Sequence, residues 1–560
     1  RYKTTSVTLI TMFGTDGIGV KQLVKIALLA LNSSYIHTNL AVRSIRDSLT
    51  SAGYGADILE YNIKDRHGTI LSALYREAAD IYGFSSYIWN ISQMLSIADD
   101  LKKLRPESTI VFGGPEVSYN AEELLAKHRF IDHIITGEGE YAFIRLAEAA
   151  GKSKLPPVID GGMCDSFESS GIHYDAEGRR LTGRILYYES SRGCPYKCAY
   201  CLSSLTQRIR AKPAEKTLRD LLEFESLPYD VNIIKFVDRT FNFNRMRAKE
   251  IWRGLLSPEY TKRYHFEICA ELLDEESFEL LASFPRGKIQ LEIGVQSTNS
   301  ETLRRIHRSL DTEGLLGAIS RLHSFGNMRI HADLIAGLPG EDLNSFARSF
   351  DSLYGRCDIL QLGFLKLLHG TELRREAEEF GCVYSDEPPY TVLATDCLSF
   401  DELELLHQVD DLLERYVNSH VFSRSVELVM SRVDSPFALL AKFAEKSAEY
   451  ELPLRQISQT DAFKRFYECL HDGEDVELAM RLTLDFLTSQ NASPPSIGGL
   501  DCLRLSDNDK KHAFFDWCAG MNIDYFAPSV EVWQVGGSEY YIDRRNRSAY
   551  EKTNNTFVKI

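Results

Sequence analysis

Twice along this chain, short apolar runs alternate with amphipathic segments, and that alternation restricts the fold more than any other feature. The first series opens at residues 24–31 (VKIALLAL), an unbroken apolar run of the kind a strand shows when both its faces are buried. A helical pattern at 40–52 follows, then a strand at 56–61, a helix at 70–78 and a strand at 81–85. An amphipathic stretch at 91–104 leads to a strand at 109–112, broken by Gly113-Gly114-Pro115. A helix at 121–127 and a strand at 133–136, ending on Gly137, close the series. Strands that alternate with helices and end on glycine predict a parallel, doubly wound sheet, whose ligands sit beyond the carboxyl ends of the strands. The polar and glycine positions at those ends are 32–38, 85–90, 113–118 and 137–140.

Residues 152–183 are rich in Gly, Ser, Asp and Pro and read as a linker or small meander. The second series has strands at 185–190, 231–237, 266–270, 289–295, 329–335 and 359–367. Helical patterns lie between them at 215–224, 246–256, 275–284, 301–325 and 343–354. Six such units fall short of the eight of a closed barrel, so a six-unit partial barrel is expected. Beyond residue 389 the strand signal fades. Residues 403–416, 438–448, 461–470 and 475–487 are helical in pattern, and a hairpin candidate covers 530–542. A chain of 560 residues exceeds one core. The expected division is an extension at 1–24, a flavodoxin-like domain at 25–150, a linker at 151–183, a partial barrel at 184–388 and a mostly helical domain at 389–560. The opening extension reads as tag-like, with a short signal-like apolar region as the other reading.

Composition excludes several function classes. The net charge of −16 argues against general binding to a phosphate backbone. No apolar run is long enough for a membrane-spanning helix. The 11 cysteines are odd in number and only one group is clustered, so a cytoplasmic protein with one metal site is expected rather than a disulfide framework.

The clustered group is Cys194-Pro-Tyr-Lys-Cys198-Ala-Tyr-Cys201, directly after a predicted strand. Three thiolates on one short loop can hold three irons of a 4Fe–4S cluster and leave the fourth open to a small-molecule ligand. Zinc would want a fourth ligand, and no close Cys or His gives a usual spacing. This CxxxCxxC loop on the first of six β/α units resembles the radical S-adenosylmethionine (SAM) superfamily. The resemblance implies a fold, a cluster and SAM as cofactors, and an enzyme fed electrons by a donor such as flavodoxin or ferredoxin. It implies SAM-binding roles for Tyr200 (adenine), Asp238 in KFVDRTFN, Glu267 in FEICAE, Glu292 and Gln296 in EIGVQS, and Gly337 in DLIAGLPGE.

A flavodoxin-like domain ahead of such a barrel resembles the cobalamin-dependent radical SAM class. Gly113–Ser118 (GGPEVS) and the GEGE run at 137–140 carry that resemblance. It implies cobalamin-binding roles for Tyr35, His37, Ser85, Ser86, Gly113, Gly114, Glu116, Ser118, Gly137 and Glu138. The DxHxxG motif that places histidine on cobalt is absent, and His37 occupies only a related position. Methylthiotransferases also precede the barrel with an α/β domain, but theirs carries three cysteines, and residues 25–150 here have none. The last domain resembles a helical domain of unknown function; Tyr384, Tyr390, Asp396 and Cys397 fall where barrel and cap should meet. The reaction implied is methyl transfer by way of cobalamin to an unactivated carbon: one SAM supplies the methyl and another is cleaved to a deoxyadenosyl radical. The substrate class expected is a small molecule, a peptide or a lipid-like metabolite. Radical rearrangement or cyclisation without methyl transfer is the alternative, and a non-catalytic corrinoid-binding protein is a third reading.

Overall fold

The computed structural model describes residues 24–174, 181–206, 208–231, 233–309, 311–450, 453–521, 523–524, 530–554 and 556–560. Residues 1–23 of the expected extension lie outside that set. The chain divides into two compact units. Of the described residues, one unit holds 24–35 with Asn39–Cys164, and the other holds Ile36–Thr38 with the described residues from Asp165 to Ile560.

The first unit is a six-stranded parallel sheet. Its strands are β1 (Ile26–Asn32), β2 (Ala56–Asn62), β3 (Ile81–Ser85), β4 (Thr109–Gly113), β5 (His133–Thr136) and β6 (Val158–Asp160), in the order β2-β1-β3-β4-β5-β6. The helices α1 (Leu40–Ser51), α2 (His67–Glu77), α3 (Ile91–Leu104), α4 (Ala121–Lys127) and α5 (Gly139–Ala149) connect them. Every residue of β1 is buried. Ala27, Leu29 and Leu31 enter one core with α2 and α3, while Ile26, Leu28 and Ala30 enter the other with α1 and α5. Burial on both faces is why this strand has no polar alternation. The strand order reverses between β1 and β3, the point where doubly wound sheets form a ligand crevice. One expectation is corrected: β6, inside the stretch read as linker, pairs in parallel with β5. Only three residues long, between two prolines and two glycines, it carries too little pattern to read as a strand.

The second unit begins with the partial barrel. Its first strand, β7 (Leu186–Tyr188), is followed by a short antiparallel ribbon, β8 (Ser191–Arg192) with β9 (Arg210–Ala211). The strands β10 (Ile233–Phe236), β11 (Arg263–Ile268), β12 (Ile289–Gln296), β13 (Arg329–Ala336) and β14 (Ile359–Phe364) complete the parallel sheet β7-β10-β11-β12-β13-β14. Helices α6 (Ala214–Glu225), α7 (Arg245–Leu255), α8 (Glu275–Ala282), α9 (Ser300–Arg305), α10 (Thr312–Ser324) and α11 (Leu343–Leu353) alternate with them. Burial along β12 alternates strictly, setting Gln290, Glu292, Gly294 and Gln296 on one face. The register places His265 opposite Gln290 and Glu267 opposite Glu292, so the interior face of the sheet is polar.

The C-terminal part is mostly helical, as expected, and closes with a sheet larger than the expected hairpin. After α12 (Glu372–Arg375) and the β15 (Val383–Tyr384) and β16 (Val392–Ala394) pair come α13 (Phe400–Leu412), α14 (Ser423–Met430), α15 (Pro436–Ser447), α16 (Gln459–Leu470) and α17 (Val476–Ser489). Then β17 (Cys502–Leu505), α18 (Asn508–Gly520), β18 (Val530–Val535), β19 (Ser538–Asp543), β20 (Ser548–Thr553) and β21 (Thr556–Lys559) follow, and the five strands form one antiparallel sheet. The hairpin candidate is β18–β19; the others are short and mix charged with apolar residues. The helical layer is fastened to the barrel edge: Asn418 Nδ2 donates to the Leu360 carbonyl at 2.8 Å, and Asp351 accepts from Ser435 and the Phe437 amide.

Candidate functional site

The cysteine loop is held at its stem. Asp238, fully buried at the end of β10, accepts from the Ser190 amide at 2.9 Å, the Ser190 hydroxyl at 2.6 Å and the Ser191 hydroxyl at 2.5 Å. The ribbon β8–β9 then pinches the loop, and Gly193 at φ +93 passes so close to the Arg208 carbonyl that an added Cβ would lie 2.7 Å from it. Inside the loop, Ala199 donates its amide to Ile306 O and accepts from the Leu373 amide. Cys198 is buried and Cys194 and Cys201 half-buried. All three line one cavity of about 280 Å³ at the carboxyl ends of the barrel strands. Among the described residues no three Cys, His, Asp or Glu side chains converge on a single-ion centre.

Four of the six residues predicted to bind SAM line this cavity: Tyr200, Glu267, Glu292 and Gln296. Two do not. Asp238 braces the loop stem as described. Gly337, at φ +85, packs its turn beside Leu365, Val392 and Leu403. Sequence reasoning missed further lining residues, notably Arg308, Asp333, Arg239, Tyr196, Cys269 and Glu271. Arg308 follows Arg304-Arg305-Ile306-His307, which reads as a solvated helix end, and His307 at φ +58 turns the chain there. Arg308 donates to the Gly294 carbonyl and, with Tyr200, hydrogen-bonds Cys198. Asp333 could have been found from the alternation of β13, two residues from His331.

Electrostatics differ from wall to wall. Burial pushes Asp333 up to about 8, with Glu292 and Glu267 adding to the rise. Burial also raises Glu267, against the opposing charge of Arg239. Glu292 behaves in the opposite way: burial would raise it, yet the His265 hydrogen bond and the Lys235 charge hold it at about 2. Lys235 Nζ lies 3.0 Å and His265 Nε2 2.9 Å from Glu292 Oε2. Burial pushes the Cys198 thiol up, while Arg308 beside it pulls the other way. The Oε1 atom of Gln296 is buried with no hydrogen-bond partner among the described residues, and its residue sits at φ +72 where β12 ends in a register shift. Only a glycine at 294 leaves room for that amide, because a Cβ there would overlap Gln296 Nε2.

At the ligand edge of the first unit, most predicted side chains bond their own loops. Ser86 Oγ donates to Phe84 O, Ser118 Oγ donates to Gly114 O at 2.8 Å, and Ser85 Oγ accepts from Asn39. Glu138 accepts from the Cys164 amide at 2.7 Å, and Glu116 is buried. Gly114 at φ +115 allows a close pass that a Cβ would close by overlapping the Ser86 carbonyl. Gly137 at φ +74 lies against Gly162, and Gly113 is open, with nothing nearer than 3.8 Å to an added Cβ. What the edge presents is backbone and aromatic rings: Tyr35 after β1, Trp89 after β3 and Tyr119 after β4 are 60%, 45% and 45% exposed. Trp89 stacks on Tyr87 at 4.4 Å and donates its indole N–H to Leu31 O. His37 belongs to the second unit, where its Nδ1 lies 2.6 Å from the Tyr187 hydroxyl. Its ring is engaged there, and burial lowers its basicity.

Family models match three stretches of this chain: the B12 binding domain at residues 26–147, the radical SAM superfamily at 188–353, and a protein of unknown function, DUF4080, at 378–524. The chain is 25% identical over 309 residues to 2-(S-pantetheinyl)-carbapenam-3-carboxylate methyltransferase of Streptantibioticus cattleyicolor, covering 49% of this chain and 44% of that protein. It is 25% identical over 345 residues to the cobalamin-dependent radical SAM methyltransferase TokK of Streptomyces tokunonensis, covering 54% and 49%. The chain thus spans about half the length of these curated relatives. Among solved structures, the cobalamin-dependent SAM radical enzyme OxsB, with aqua-cobalamin and SAM bound, superposes with a TM-score of 0.58 at 17% identity. The match covers 82% of this chain and 78% of that one, a likeness of fold. The two cofactor domains imply a 4Fe–4S cluster, SAM and cobalamin. The residues present fit these groups. Three thiols and Gln296 Oε1, which has no partner among the described residues, share one barrel cavity, and exposed rings stand at the ligand edge of the first sheet.

Proposed function

We propose that this chain, which carries a B12-binding domain and a radical SAM domain in one polypeptide, is a cobalamin-dependent radical SAM methyltransferase acting on an unactivated carbon. The observation that carries the reading is the one cavity that Cys194, Cys198 and Cys201 line together with Glu267, Asp333, Gln296 and Arg308. When bound, the cluster with SAM supplies a carbon radical and cobalamin supplies the methyl group.

The chain's own residues have separable tasks. Cys194, Cys198 and Cys201 hold the cluster from a loop that Asp238 and the β8–β9 ribbon keep in one shape. Arg308 supplies the fixed positive charge for a carboxylate. Asp333, neutral near pH 7 because burial raises it to about 8, and Gln296, whose carbonyl lacks a partner, bond hydroxyl or ammonium donors of the ligand. The ring of Tyr200 offers an apolar face at the cavity wall. Glu292 is committed to Lys235 and His265 beneath them and sets the floor. At the first sheet's edge, Gly113 allows close backbone approach to the nucleotide tail, and Tyr35, Trp89 and Tyr119 would offer apolar faces to the corrin. His37 is engaged with the Tyr187 hydroxyl and would not be among the residues that hold the corrinoid.

The test uses reconstituted protein, reductant and methyl-deuterated SAM in an extract of small molecules and peptides. A metabolite that gains a labelled methyl only when both cobalamin and cluster are present supports the reading. Deoxyadenosine formed with no mass gain in any product would favour rearrangement instead.

A further inference from the structure

A fourth thiol faces the cavity of the three cluster cysteines. Cys269 follows the end of β11 and lines that cavity with Tyr196 and Glu271. Tyr196 belongs to the cysteine loop itself. Its hydroxyl donates to Cys269 Sγ at 3.1 Å, and Cys269 Sγ in turn donates to Glu271 Oε2 at 3.1 Å. The backbone around the thiol is fixed as well: the Cys269 amide donates to Asn242 Oδ1 at 2.9 Å, and Asn242 Nδ2 donates to the Cys269 carbonyl at 2.8 Å. Independent atoms show that this cavity is built for a ligand. Among the described residues Gln296 Oε1 is buried there without a partner, and burial holds the Asp333 carboxyl on the same cavity well above the usual carboxylate range. Nothing in the proposed methyl transfer uses Cys269, yet a thiol beside a site that produces carbon radicals is not inert.

Resting on that functional reading, we propose that Cys269 is the hydrogen-atom donor that quenches a carbon radical left in the cavity without substrate, with Tyr196 taking up the oxidising equivalent. The S–H bond is weaker than a primary C–H bond, so the transfer runs downhill. The carbon radical and Cys269–SH give a C–H bond and Cys269–S•. Cys269–S• then takes the hydrogen atom of the Tyr196 hydroxyl, which it already touches, and becomes a thiol again. The Tyr196 phenoxyl is restored by one electron from the external one-electron donor that also feeds the site and one proton from solvent. The hydrogen bond to Glu271 keeps the sulfur hydrogen in place between events. The pair thereby spares the surrounding backbone and side chains from hydrogen abstraction.

The experiment needs no substrate. Cluster-loaded protein is exchanged into D₂O, reduced and given SAM, and the deoxyadenosine formed is analysed by mass spectrometry. The thiol hydrogen exchanges with solvent and C–H hydrogens do not, so the native protein should place one solvent deuterium in deoxyadenosine. Cys269→Ser keeps a hydroxyl for Tyr196 and Glu271 but has a much stronger X–H bond, and it should lose that deuterium while iron content and the spectrum of the reduced cluster stay unchanged. A second readout is electron paramagnetic resonance of frozen samples. A protein radical whose line shape narrows with ring-deuterated tyrosine, and which disappears in Tyr196→Phe, is expected. Deoxyadenosine that carries equal deuterium in native protein and Cys269→Ser, or none in either, overturns the inference and leaves the radical SAM reading standing. Absence of deoxyadenosine altogether overturns both.

Discussion

The barrel cavity and the ligand edge of the first sheet are both built at the carboxyl ends of parallel strands, but they treat their polar groups in opposite ways. In the barrel, Gln296 Oε1 lacks a partner among the described residues, and the raised Asp333 records what it costs to keep a carboxyl there. At the sheet edge, Ser86, Ser118 and Glu138 are spent on their own loops, and aromatic rings and glycine backbone are what remain. The difference suits the ligands proposed. SAM is small, charged and dense in hydrogen-bonding groups, so it is met by side chains. A corrinoid is large and flat, so it is met by a shaped surface.

The largest effect that would break this contrast lies at the cluster. Cys198→Ala should abolish retained iron and all SAM cleavage, read as loss of the visible absorbance of the reconstituted protein and of deoxyadenosine. Next comes Asp238→Ala, which leaves Ser190 and Ser191 without their buried acceptor. Denaturant unfolding should show a loss of about 3 kcal/mol, with reduced cluster occupancy as a consequence of a loosened loop rather than of lost SAM contact. If SAM affinity fell while stability held, Asp238 would be a binding residue after all.

On the sheet edge two neighbouring glycines separate fold from ligand. Gly114→Ala forces a Cβ into the Ser86 carbonyl at a positive φ and should cost about 1–3 kcal/mol. Gly113→Ala has room and should be near neutral for stability, so any weakening of cobalamin binding there, measured by absorbance titration, reports the corrinoid itself. The smallest effect concerns pH. The ordinary value of Asp333 is 3.8 and the folded one about 8, so the folded protein holds a proton that the unfolded chain has released. Its contribution therefore turns unfavourable as pH rises from about 4 and levels off above about 8. Thermal unfolding of the ligand-free protein should show this slope, and Asp333→Asn should flatten it; water in the cavity keeps the amplitude small.

Much of this was legible in the sequence, because its main signals are local. The unbroken run of β1 and the strict alternation of β12 report the number of buried faces directly. The three cysteines are close in sequence as well as in function. What stayed hidden depends on chain reversals. Arg308 reaches the cavity only because His307 takes a left-handed turn. Cys269 looked like one more scattered thiol until β11 brought it beside Tyr196. Asp238, by contrast, sits where the motif expects it, but three donors from the loop stem occupy its carboxylate. Of the C-terminal sheet only the β18–β19 hairpin was legible, because β17, β20 and β21 are short and mixed in polarity.

The most direct test of the account is the ratio of two products of SAM. With substrate, reductant, cluster and cobalamin all present, S-adenosylhomocysteine and deoxyadenosine should form in equal amounts, one from the methyl donated and one from the radical made. Deoxyadenosine without S-adenosylhomocysteine, whether or not cobalamin is supplied, would contradict the methyltransferase reading.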